Sequence, residues 1–150
     1  MKRLAHILLV EDNEMDVTLT LDAFREAQLE NTICVCRDGD EALDYLFGRG
    51  PFSDRTASPL PDLVLLDIKL PRTDGHEVLR QVKSTPGLKR IPVIMLTSSS
   101  EQSDVLASYD NAANGYIVKP VSFDGFISAV RAIEDYWFSV NVGPPGDGGR

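Results

Sequence analysis

The chain has 150 residues, 43% of them apolar, and a formal net charge of −8. That length suits one domain with a real hydrophobic core and leaves no room for a second, output domain. The acidic balance argues against a nucleic-acid binder, which needs a basic surface, and no apolar run approaches the roughly 20 residues of a membrane span or follows a signal-like basic start, so the cytoplasm is the expected location.

Five short apolar runs alternate with segments of helical period. The first run, HILLV (6–10), ends in Glu11 and Asp12, and Val17, Leu21 and Phe24 then recur at i, i+4, i+7. ICVC (33–36) follows, with Leu43, Leu46 and Phe47 at i, i+3, i+4 after the Asp38-Gly39 turn. Cys34 and Cys36 stand two apart in an extended run, where neighbours on one face are poorly placed for a mutual disulfide, so both read as small apolar thiols. LVLLD (63–67) precedes a helix carrying Val78, Leu79 and Val82. VIMLT (93–97) precedes one carrying Val105, Leu106 and Tyr109, and GYIVK (115–119) precedes one carrying Phe123, Phe126, Ile127, Val130 and Ile133.

This alternation predicts an α/β domain of (βα)₅ type, in which continuous apolar strands form a parallel sheet covered by helices on both faces. The domain is expected over 1–140. Residues 141–150, NVGPPGDGGR, carry too little apolar surface to offset the entropy of ordering and read as a flexible tail. Residues 48–62, rich in Gly, Pro and Ser, form a connection longer than usual for such folds, and long loops are often functional.

In an open parallel sheet the ligand crevice lies beyond the carboxyl ends of the strands. The residues placed there are Glu11 and Asp12, Asp67, Thr97 and Ser98, and Lys119 with Pro120. Each has an ordinary reading by itself, as a turn former, a helix cap or a strand exit. Their joint arrangement at the ends of four strands points to chemistry. Carboxylates crowded together call for a cation, and all-oxygen ligands in a small open site favour Mg²⁺. A carboxylate can then attack phosphorus, with Thr97 and Lys119 stabilising the charge on the transferred oxygens.

HILLVEDN, LVLLDIKLPRTDG, VIMLTSS and GYIVKP together resemble the response-regulator receiver family over residues 5 to about 138. The resemblance implies a flavodoxin-like doubly wound sheet of strand order 2-1-3-4-5. It implies that Asp67 is the phosphoacceptor, and that Asp12, Asp67 and the backbone carbonyl of Lys69 ligate Mg²⁺, with Glu11 acting mainly through a metal-bound water. Thr97 would hydrogen-bond the phosphoryl group, Lys119 would pair with the acceptor or its phosphate, and Tyr116 would be a rotating switch. Gly75 would begin the helix beside the site, the Lys119-Pro120 peptide would complete it, and Lys69 and Ser99 would tune the phosphate lifetime.

The long loop with its GPFSD segment and the Tyr136-Trp137 end of the last helix resemble the stand-alone receivers that serve bacterial and cyanobacterial phytochrome kinases. That implies a light-regulated histidine kinase as phosphodonor, a generic histidine kinase or a phosphorelay protein being the alternatives. The downstream target is not legible. Tyr136, Trp137 and Phe138 are consecutive and cannot all face one core, so a homodimer through helix four, strand five and helix five is expected. A phosphatase of the haloacid dehalogenase type is the enzymatic alternative, but it needs a second Asp where Lys69 stands. The expectation is therefore a phosphoacceptor that turns over only its own phosphate, and a degenerate receiver is disfavoured because the acidic, hydroxyl and lysine set is complete.

Overall fold

A computed structural model of the chain describes residues 6–28, 31–119 and 122–135. Five parallel strands alternate with five α-helices: β1 (His6–Val10), α1 (Glu14–Glu26), β2 (Thr32–Cys36), α2 (Gly39–Phe47), β3 (Leu63–Leu66), α3 (Gly75–Lys83), β4 (Val93–Thr97), α4 (Gln102–Asp110), β5 (Gly115–Val118) and α5 (Phe123–Glu134). The sheet order is β2-β1-β3-β4-β5, so the expected (βα)₅ flavodoxin-like fold is present.

Alternate residues of the central strands enter two separate cores. Leu8, Val10, Val64, Leu66, Val93 and Met95 pack with α2 and α3 on one face. Ile7, Leu9, Leu63, Leu65, Ile94 and Leu96 pack with α1 and α5 on the other. This period of two explains why β1, β3 and β4 read as unbroken apolar runs. The edge strands differ: β2 buries only Cys36 fully, and Val118 of β5 is 45% exposed, because each has a neighbour on one side only. Cys34 and Cys36 are free thiols against the same core cluster, as their spacing suggests.

Helix starts follow from local sequence. Asn13, Asp38, Asp74 and Ser122 each stand in extended conformation and accept a hydrogen bond from a backbone N–H of the first turn, satisfying a donor that the helix leaves unpaired. In α1 the buried face is Val17, Thr20, Ala23 and Phe24, with Leu21 at its half-buried margin. In α5 it is Phe126, Val130 and Ile133, while Phe123 at the first position is 39% exposed.

The expectation for α4 requires correction. Of its apolar stripe Val105, Leu106 and Tyr109, only Val105 is half-buried, Leu106 and Tyr109 are 55% and 51% exposed, and Ser108 is the helix's buried residue. Helical period locates a stripe, not the side that meets the sheet, and α4 contributes its apolar stripe to neither core cluster.

The 48–62 connection is anchored rather than free. The Arg55 guanidinium donates to the carbonyls of Tyr45 (2.8 Å) and Leu46 (2.7 Å) in the last turn of α2 and of Ser58 (3.0 Å) in the loop, tying the two together. Tyr45, buried at 1% exposure, donates its hydroxyl to the Pro59 carbonyl at 2.8 Å and packs against Phe52 with the rings tilted by 56° and 5.0 Å between centroids. At the opposite end of the sheet from the strand-end acids, the Lys83 ammonium donates to the carbonyls of Lys89 (3.2 Å) and Ile91 (2.8 Å) and to Asn114 Oδ1 (2.8 Å), joining α3 to the starts of β4 and β5. The expected tail, the Tyr136-Trp137-Phe138 cluster and Pro120 lie outside the described residues.

Candidate functional site

Sheet order places the site. The chain leaves β1 for β2 on one side and returns to β3 on the other, and a crevice opens where two neighbouring strands send their connections in opposite directions. Glu11 and Asp12 leave β1 and Asp67 leaves β3 at that point. The parallel pairing continues one residue past the strands, with Glu11 N–H donating to the Cys36 carbonyl (2.9 Å), Asp67 N–H to the Val10 carbonyl (3.1 Å) and Lys119 N–H to the Thr97 carbonyl (2.8 Å). Side chains at the ends of four strands are thus fixed by backbone bonds before any ligand arrives.

Glu11, Asp12 and Asp67 each offer a carboxylate oxygen within 4.8 Å of the others. Glu11 and Asp67 are buried and Asp12 is exposed, so the group forms the floor and lip of an open pocket. Asp67 accepts from the Ile68 N–H through Oδ1 at 2.7 Å and from the Lys119 ammonium through Oδ2 at 3.2 Å. Glu11 accepts from Lys119 and, at 3.2 Å, from the Asn13 N–H. Burial drives the Glu11 carboxyl up to about 7 against the pull of Lys119, and the negative charge of Asp67 adds to the rise. Burial opposes the Lys119 ammonium as well, but the hydrogen bonds it donates to Asp16 and Glu11 and the charges of Asp67 and Glu11 outweigh it and hold its pKa above the ordinary lysine value.

An oxygen-only donor set with one open side fits a hard divalent cation that keeps part of its water shell. Among the described residues, Glu11, Asp12 and Asp67 offer the carboxylates that could hold it. The cluster carries more negative charge than one lysine neutralises, which is the condition that a cation relieves.

Thr97 ends β4 fully buried, and its Oγ1 accepts from the Ser99 N–H at 3.3 Å. Tyr116 packs its ring against the α2–α3 core and donates its hydroxyl to the Ser99 carbonyl at 2.7 Å. Lys69 is exposed in the bend after Asp67. Gly75 opens α3 against that same bend, its N–H donating to the Ile68 carbonyl at 2.7 Å. A Cβ there would stand 2.1 Å from the Asp67 carbonyl oxygen, which is why the position takes glycine.

Of the residues expected at the strand ends, Glu11, Asp12, Asp67, Thr97 and Lys119 lie at one edge, and Lys119 joins Glu11 to Asp67. Two features were not read from the sequence. Asp16, in the first turn of α1, is a third carboxylate on Lys119, at 2.8 Å. Its signal was an acid one helical turn beyond the Glu11-Asp12 pair, indistinguishable there from the acids that favour any helix N-terminus. Beyond Thr97, Ser99 Oγ donates to Asp104 Oδ2 at 2.6 Å and His76 Nε2 lies 3.1 Å from Asp104 Oδ1, tying α3 to α4. No spacing rule brings positions 76, 99 and 104 together.

Comparison with known proteins agrees with this geometry. Residues 7–131 match the family model described as the response regulator receiver domain. The probable methanogenesis regulatory protein FilR2 of Methanothrix harundinacea is 41% identical over 138 residues, which is 92% of this chain and 86% of the relative. Response regulator Rcp1 of Synechocystis is 39% identical over 131 residues, 87% of each chain. The crystal structure of the Mn²⁺-bound form of Rcp1 superimposes with a TM-score of 0.84 at 37% identity, over 94% of this chain and 99% of that one. The crystal structure of the phosphorylated cyanobacterial phytochrome response regulator RcpA gives a TM-score of 0.88 at 38% identity, covering 95% of this chain and 100% of the other. With a family match across most of its length, a sheet of the same order and an acidic pocket at the β1–β3 crevice, this chain belongs to the response regulator receiver family of two-component signalling proteins and resembles its phytochrome-linked members.

Proposed function

We propose that Asp67 takes a phosphoryl group from a histidine kinase in an Mg²⁺-dependent reaction and signals through the altered α4–β5–α5 surface. The observation that carries this reading is the position of Asp67: a buried carboxylate at the sheet crevice, within 4.8 Å of two further carboxylates and 3.2 Å from an ammonium. A carboxylate oxygen of Asp67 forms the new bond to phosphorus as the phosphorus–nitrogen bond of a phosphohistidine breaks, and the imidazole keeps the electron pair. The metal would be held by Asp12, Asp67 and the Lys69 carbonyl, with Glu11 behind a water, and would neutralise charge on the phosphoryl oxygens. Lys119 and the Thr97 hydroxyl bind the remaining oxygens. Movement of Thr97 toward the phosphate releases its bond from the Ser99 N–H, and the β4–α4 connection shifts with Tyr116 attached to the Ser99 carbonyl.

No acid stands at Lys69 to protonate an alcohol leaving group, so the protein turns over its own phosphate and not exogenous esters. The likeness to RcpA, a phytochrome response regulator, supports a phytochrome-type histidine kinase as donor. Leu106 and Tyr109 on α4 and Val118 on β5 are exposed large apolar side chains, which supports a homodimer through α4, β5 and α5. Intact mass after incubation with Mg²⁺ and acetyl phosphate tests the core of the reading. One added phosphoryl mass is expected on the wild type and none on Asp67→Asn; equal labelling of the two would sink the assignment.

A further inference from the structure

The Lys119 ammonium has three hydrogens and three carboxylate partners, Glu11, Asp16 at 2.8 Å and Asp67 at 3.2 Å. Its side chain is 7% exposed, so water has little access to the ammonium in place of a carboxylate. A phosphoryl oxygen can reach the ammonium only when one partner lets go. The three partners are unequal in this respect. Glu11 at 3% and Asp67 at 9% side-chain exposure would each keep one backbone N–H but lose their charged donor while buried, an expensive state. Asp16 is 30% exposed and stands on the first turn of α1, where a released carboxylate turns into solvent and keeps the favourable end of the helix dipole.

The backbone of Asp16 is held independently of its side chain. Its N–H donates to the Asn13 cap at 3.0 Å and its carbonyl accepts from the Thr20 hydroxyl at 2.8 Å. The carboxylate is thus delivered to Lys119 from a fixed point and can leave without unwinding the helix.

We propose that Asp16 is a positioning residue that holds Lys119 in the resting protein and competes with the incoming phosphoryl group for its ammonium. The inference rests on the phosphoacceptor reading above. Asp16 makes no contact with the reacting atoms; it sets how much of the ammonium's binding capacity is available when the phosphodonor arrives. Neutralising Asp16 leaves an amide oxygen that accepts more weakly than a carboxylate. The anionic donor then binds more tightly before and during transfer alike, which changes half-saturation and leaves the limiting rate alone.

The test is the initial rate of phosphorylation, followed by intact mass, against acetyl phosphate concentration at saturating Mg²⁺. For Asp16→Asn the half-saturating concentration should fall about fivefold with the limiting rate within about twofold of wild type. Asp16→Glu, which keeps the carboxylate, should restore the wild-type value. Asp22→Asn removes the same charge from an Asp on α1 that pairs with Arg25, and should change nothing. In a Lys119→Met background the Asp16→Asn effect should vanish. An unchanged half-saturation in Asp16→Asn, an equal change in Asp22→Asn, or an effect that survives in Lys119→Met would each overturn the proposal while labelling of the wild type leaves the phosphoacceptor reading intact. A wild type that takes no phosphoryl group would overturn both.

Discussion

Gly75→Ala sets two effects of opposite sign against each other. Replacing glycine by alanine at an ordinary helix position gains up to about 1 kcal/mol, because the unfolded chain has less freedom to lose. At the first residue of α3 the added Cβ would stand 2.1 Å from the Asp67 carbonyl oxygen, 2.7 Å from Ile68 Cα and 2.9 Å from the Asp67 carbonyl carbon. All three are backbone atoms that cannot rotate aside. A carbon–oxygen contact becomes comfortable near about 3.3 Å, so α3 must retreat by about 1 Å. That retreat stretches the 2.7 Å bond from Gly75 N–H to the Ile68 carbonyl and pulls Val78, Leu79 and Val82, all at most 1% exposed, from their core positions. Overpacking of this kind costs about 1–3 kcal/mol and the weakened hydrogen bond about 1 kcal/mol more, so the net loss should be about 2 kcal/mol. Urea denaturation followed by circular dichroism reads it as a lower midpoint at unchanged slope. Acetyl phosphate labelling should fall in parallel, since the strained bend carries Asp67. An alanine variant as stable as the wild type, or more so, would refute the argument.

Three further outcomes follow from the same contacts. Lys119→Met should raise Mg²⁺ affinity roughly tenfold by calorimetry, since the ammonium and the cation compete for the same carboxylates, while phosphorylation slows; weaker Mg²⁺ binding would contradict the site. Arg55→Ala should destabilise by about 2 kcal/mol in urea and expose 48–62 to protease, because three carbonyls lose a charged donor. Burial pushes Lys83 down to about 8 from an ordinary 10.5, so between those values the unfolded chain binds more protons and stability should rise with pH. The urea midpoint of wild type relative to Lys83→Met should therefore climb from pH 8 to pH 10, and a flat difference would remove that account of Lys83.

The legible part of the molecule is the part set by near neighbours in the chain. HILLV, LVLLD and VIMLT announce buried strands because both faces of a central strand are apolar. Glu11, Asp12, Asp67, Thr97 and Lys119 announce a site because a polar residue directly after such a run must lie at the sheet's carboxyl edge. The helix caps at Asn13, Asp38, Asp74 and Ser122 are equally local. Leu106 and Tyr109 mark the limit of this logic. Their spacing is helical, but whether an apolar stripe faces core or solvent depends on how α4 sits on the edge of the sheet.

Asp67 and its neighbours were thus determined by the sequence as a set, through hydrophobic period and strand-end position, forces that act over a few residues. The tertiary structure alone decided which partners Lys119 takes. Asp16 and Lys119 are 103 positions apart, and meet because α1 and β5 present their ends to the same crevice. The same holds for Arg55 closing the end of α2 and for His76, Ser99 and Asp104 bracing α4. Long-range polar pairing depends on the placement of whole elements, and side chains that look like ordinary surface charges in the chain acquire their roles only when packing removes them from water.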